Sequence, residues 1–122
     1  MAHMPGLTTH ILDLTHGKPA EHVKVQLFKF DPATSRWRCL AKTVTNKDGR
    51  TDAPLLSAEK IDSGLYQLVF SIGDYFCSQG ANLPDPPFWG EVPVRFNISD
   101  PAAGYHIPLL ISPWGYQTYR GS

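Results

Sequence analysis

Turn-forming residues punctuate this chain so often that no long helix fits between them. Eleven prolines and ten glycines are spread over 122 residues. Proline removes a backbone donor and glycine loosens the backbone, so each interrupts a regular helix. Between the interruptions the side chains alternate with a period of two, as on a strand. Residues 8–14 place His10, Leu12 and Leu14 on one face and Thr9, Ile11 and Asp13 on the other. Residues 23–31 are rich in Val, Leu and Phe, but their parity shifts between Leu27 and Phe28. That shift predicts a bulge, or burial on both faces near the strand's end.

Further strands are expected at residues 37–45, at 51–56 as a short one, and at 65–72, with Tyr66, Leu68, Phe70 and Ile72 inward. Residues 91–98 turn Val92, Val94, Phe96 and Ile98 inward and leave Pro93 outward. Proline cannot donate to a ladder, so its position there must face away from a paired neighbour. Residues 105–112 put Tyr105, Ile107, Leu109 and Ile111 on a core face and His106, Pro108, Leu110 and Ser112 on the other. A last strand carries Tyr116 and Thr118 on one side, Gln117 and Tyr119 on the other. Turn chemistry lies at His16-Gly17-Lys18-Pro19, at Asn46-Lys47-Asp48-Gly49 and at Ser63-Gly64. Residues 73–80 break the alternation and leave room for a short helix. Many short strands with regular turn signals predict an all-β sandwich in one domain.

Charge and cysteine content narrow the function. Eleven acidic and eleven basic side chains cancel, so no basic stripe is available for nucleic acid. No apolar run approaches the roughly 20 residues that cross a bilayer as a helix. The opening MAHM resembles a cloning remnant before Met4. Residues 1–6 are therefore expected to be tag remnant and disordered N-terminus, with the domain at 7–122, and His3 is set aside. The start has neither a basic nor an apolar leader region, which points to a cytoplasmic protein. Cys39 and Cys77 form no CxxC pair and are expected as free thiols.

The polar residues on non-core faces carry the chemistry. His10 and His106 each sit among small or apolar neighbours, Arg50 follows a tight turn, and the chain finishes in Tyr119, Arg120, Gly121 and Ser122. Taken singly, a strand histidine is usually structural, an arginine after a turn is usually solvated, and a chain end usually frays. Together they suit proton transfer by imidazole and charge stabilisation by guanidinium. Gly121 is expected to give the tail unusual backbone angles so that it folds over a ligand. No HxH or CxxC spacing supports zinc, and no nucleophile elbow is present.

The motifs THILD at residues 9–13, GKPA at 17–20, DGR at 48–50 and the terminal YHIPLLISPWGYQTYRGS resemble the transthyretin-like family. Within it they resemble the hydroxyisourate hydrolases. The resemblance implies a β-sandwich of two four-stranded sheets with one short helix near residues 73–79. It implies a homotetramer, a dimer of dimers with a channel between the dimers. It implies hydrolysis of the N1–C6 amide of the small-molecule substrate 5-hydroxyisourate, in urate degradation, with no cofactor and no metal. His10, Arg50 and His106 would be catalytic; Tyr119, Arg120, Gly121 and Ser122 would bind substrate. The alternative is a carrier of small aromatic ligands in the same channel, and the carriers lack the histidine pair and the YRGS end.

Overall fold

The structure is a computed structural model and describes residues 6–122. The tag remnant expected at the start lies outside the described residues as far as position 5, while Gly6 already belongs to a strand. The elements in order are β1 (Gly6–Asp13), β2 (Lys18–Pro19), β3 (Lys24–Asp31), β4 (Arg36–Val44), β5 (Leu56–Ser57) and β6 (Gly64–Phe70). Then come α1 (Ile72–Ser78), β7 (Val92–Ile98), β8 (Tyr105–Ser112) and β9 (Gly115–Thr118). One sheet runs β4–β3–β6–β7 and is antiparallel throughout. The other runs β2–β1–β8–β9, with β5 also paired to β1. Its β1 and β8 are parallel, and its other pairs are antiparallel.

The alternation in the sequence becomes the alternation of burial. In β1, Leu7, Thr9, Ile11 and Asp13 are buried while Thr8, His10 and Leu12 are half-buried. In β8, Tyr105, Ile107, Leu109 and Ile111 face the core. They join Val25, Leu27, Tyr66, Leu68 and Phe70 from the other sheet in one apolar cluster. Burying a side chain such as Leu7 or Ile11 contributes about 1.5–3 kcal/mol. A slip of one residue would expel both and carry His10 inside, so burial fixes which face the histidine occupies.

Three local expectations shift. The turn expected at residues 16–19 closes earlier, where the Gly17 N–H donates to the Asp13 carbonyl at 2.9 Å, and Lys18 and Pro19 then pair with β1. The short strand expected at 51–56 shrinks to Leu56 and Ser57. There the Thr51 hydroxyl donates to the Ala53 carbonyl at 2.6 Å, and Pro54 has no N–H to give a ladder. The parity shift in β3 is a real irregularity, but the extra residue lies opposite. Leu27 pairs with Ala41 and Phe28 with Cys39, which leaves Leu40 of β4 unpaired. The helix begins at Ile72, and Ile72, Tyr75 and Phe76 bury against the sandwich. Pro93 lies on β7, the last strand of its sheet, where a missing donor is tolerated.

Candidate active site

The site grows out of the non-core face of β1 and β8. Their parallel register sets Thr8 beside His106 and His10 beside Pro108. On the far side of β1, His10 faces Arg50 through an isolated antiparallel bridge. The turn before Arg50 makes this possible. Asn46 Oδ1 accepts from the Asp48 N–H at 2.9 Å and from the Arg50 N–H at 3.3 Å. Gly49 adopts φ +74° and its carbonyl accepts from the Ile11 N–H at 2.8 Å. A Cβ at Gly49 would strike the Ile11 carbonyl, so glycine lets the turn lie against β1 and deliver the arginine.

The tail arrives from the other direction. β9 pairs with β8 until Thr118 faces Leu109. In the same register Tyr119 would face Pro108, which has no N–H, and the strand stops there. The register then resumes at Gly121, whose N–H donates to the His106 carbonyl at 2.7 Å. Its φ is not in the left-handed region. The reason for glycine is closeness: a Cβ there would lie 2.6 Å from His106 Cδ2. The expected role for unusual backbone angles is thus replaced by one for a missing side chain.

Arg50, His106, Arg120, Gly121 and Ser122 line an open cleft of about 570 Å³, with Thr8 and Tyr105 among the other walls. That volume suits a small heterocyclic ligand. His10 is not in the lining, but it is electrostatically coupled to Arg50 and His106. Tyr119 stands apart from the cleft lining and is exposed. Arg120 is held by stacking. Its Cζ lies 4.4 Å from the centre of the Tyr105 ring, and its Nη2 donates to the Gly104 carbonyl at 3.4 Å. Tyr105 is anchored in turn, its phenol oxygen accepting from the Ser99 and Asp100 N–H groups at 3.2 and 3.1 Å. The sequence marks Tyr105 as core, which it is; its second use as a platform for Arg120 leaves no trace in periodicity.

Both histidines are held below their ordinary pKa. For His10 the main cause is burial, followed by Arg50; the Asp48 backbone and carboxylate act in the opposite direction. For His106 burial comes first, then Arg50, then His10. A positive neighbour and partial desolvation both disfavour the imidazolium, so both rings are neutral bases near pH 7. Thr8, which sequence parity did not single out, places its Oγ1 2.8 Å from His106 Nδ1. His16 lies outside this cleft and pairs with buried Asp13 at 2.6 Å. No three His, Cys, Asp or Glu side chains converge as metal ligands among the described residues.

Known proteins match nearly the whole length of this chain. A 5-hydroxyisourate hydrolase from Ralstonia nicotianae is 48% identical over 120 residues, covering 98% of this chain and 100% of that protein. The crystal structure of an (S)-allantoin synthase superposes with a TM-score of 0.89 at 38% identity, covering 98% of this chain, which spans 44% of that longer one. Sea bream transthyretin in complex with thyroxine superposes at 0.84 with 28% identity, covering 94% of this chain and 93% of that one. Residues 7–121 match the family described as HIUase/Transthyretin. With a match of that extent and full-length relatives on both sides of its divide, this chain belongs to the HIUase/Transthyretin family.

Proposed function

We propose that this chain hydrolyses 5-hydroxyisourate at the N1–C6 amide, giving 2-oxo-4-hydroxy-4-carboxy-5-ureidoimidazoline. One observation carries the reading: the β1–β8 register and the His10–Arg50 bridge bring two imidazoles and an arginine to one sheet face beside a cleft of ligand size. One histidine takes a proton from water as its oxygen attacks C6. Arg50 and Arg120 orient the ring carbonyls and stabilise the oxyanion that forms. The C6–N1 bond then breaks, and a proton passes to the leaving nitrogen. These steps ask nothing of a cofactor. Relatives with the hydrolase name are 35% to 50% identical, while the thyroxine-bound transthyretin stands at 28%, which favours the enzyme over the carrier.

Assembly and location belong to the same proposal. The face bearing His10 and His106 is only half-buried in one chain, which suits a surface covered by a second dimer in a homotetramer. Both cysteines are free and exposed, which suits a reducing cytoplasm. No helix among the described residues is long and apolar enough to cross a membrane. The test is the ultraviolet decay of freshly made 5-hydroxyisourate. Protein should accelerate it in proportion to its concentration. A decay no faster than in buffer, together with tight binding of an aromatic ligand by the same preparation, would replace the enzyme with the carrier.

A further inference from the structure

β1 and β8 meet with Thr8 and His106 side by side, though 98 residues separate them in sequence. The Thr8 hydroxyl lies 2.8 Å from His106 Nδ1, a full-strength hydrogen-bond distance. On another side the ring is confined by the tail, where even one methyl at Gly121 would collide with Cδ2. We propose that Thr8 is the positioning residue of His106, its hydroxyl holding Nδ1 so that Nε2 is the nitrogen left for substrate and water. This rests on the hydrolase reading for the identity of the substrate, but the hold on the ring does not.

The chemical type of the partner is what makes the role specific. Elsewhere on the same strand, buried Asp13 pairs with His16. A carboxylate of that kind stabilises an imidazolium strongly; a hydroxyl does so weakly. The charged and titratable groups about His106 are His10 on β1, Arg50 after the turn beyond β4, and Arg120 at the rim, stacked on Tyr105. Burial, Arg50 and His10 together keep His106 neutral. A hydroxyl orients the ring without undoing that. It also serves both protonation states. With Nε2 as the base the neutral ring carries its proton on Nδ1, so Thr8 Oγ1 accepts from Nδ1 both before and after Nε2 takes a proton from water. Valine has the shape of threonine and no hydroxyl, so it removes the hold and keeps the strand.

The experiment compares wild type, Thr8→Val and Thr8→Ser as intact proteins. Turnover of 5-hydroxyisourate is followed beside the NMR titration of His106 recorded without substrate. In Thr8→Val, kcat should fall about 10- to 100-fold, the scale seen when a hydrogen bond that orients an imidazole is lost, with KM little changed. Its His106 should titrate at lower pH, since the imidazolium loses an acceptor. Thr8→Ser should restore most of the kcat and the titration. Wild-type kcat and titration in Thr8→Val would overturn the proposal. So would a fall in kcat with His106 titrating as before, because the loss would then not run through the ring. If wild type fails to hydrolyse the substrate while Thr8→Val still shifts His106, the hold on the ring stands and the hydrolase reading falls.

Discussion

At position 121 an added methyl group would lie 2.6 Å from His106 Cδ2 and 3.1 Å from Pro108 Cγ. Carbon atoms in good contact sit about 3.5–4.0 Å apart, so either the tail or the imidazole must move. Gly121→Ala should therefore lower turnover by about 100-fold, the cost of a misplacement near 1 Å. The thermal midpoint should stay close to wild type, because Gly121 contributes no side chain to the apolar core. The neighbouring histidines set the pH response. Both pKa values are depressed, so the base form persists below the ordinary 6.5, and the acid limb of kcat/KM should fall below that value. A pH–rate series with its acid limb above 6.5 would contradict the neutral pair. The non-core face of His10 and His106 and the turn before Arg50 were legible in the sequence because parity and turn chemistry are local; their grouping into one site came from the family resemblance. Thr8 was not. Its partner comes from a parallel pairing across 98 residues, and register over such a distance has no signature in composition or period.

Strands long enough to alternate were also legible, and those that were not were missed or misplaced. β2 and β5 hold two residues each, too few for any period to register. β9 shows how one residue ends an element. It stops at Thr118, beside the proline of β8, and the tail beyond rejoins the sheet at one bridge. The tail is thus an extension of the strand whose purpose lies in the cleft rather than in the core. A truncation ending at Thr118 removes Arg120, Gly121 and Ser122 from the cleft wall while forfeiting the Gly121–His106 backbone bond, the stacking of Arg120 on Tyr105 and the Arg120–Gly104 hydrogen bond. Turnover should be lost while the thermal midpoint and the mass in solution hold. Full activity in that truncation would remove the tail from the site.

Across the whole molecule, one polar contact ties the helix to the first strand. Tyr75 of α1 donates to Asp13 Oδ2 at 2.7 Å, and His16 bonds the same carboxylate. Burial raises the Asp13 pKa, but the bonds from Tyr75 and His16 outweigh it and leave the carboxyl below its ordinary value. Burial and Asp13 push the Tyr75 phenol up. A depressed carboxyl contributes stability above its unfolded value of 3.8 that is lost as pH falls through the folded one. Tyr75→Phe should cost about 1–3 kcal/mol at neutral pH, as for a buried group stripped of its partner. The deficit should narrow below pH 3.8, which urea melts at neutral and acid pH can follow.

The parallel pairing of β1 with β8 sets a timetable as well as a shape. β1 is made early, and the strand that completes its ladder is made after 98 further residues. On a ribosome β3, β4 and β6 can pair with near neighbours as they emerge, while Leu7 and Ile11 wait with an open edge. Such an edge invites other chains. The cleft can therefore form only after β8 and the tail beyond β9 have been made, and until then the unpaired side of β1 is a hazard to a newborn chain.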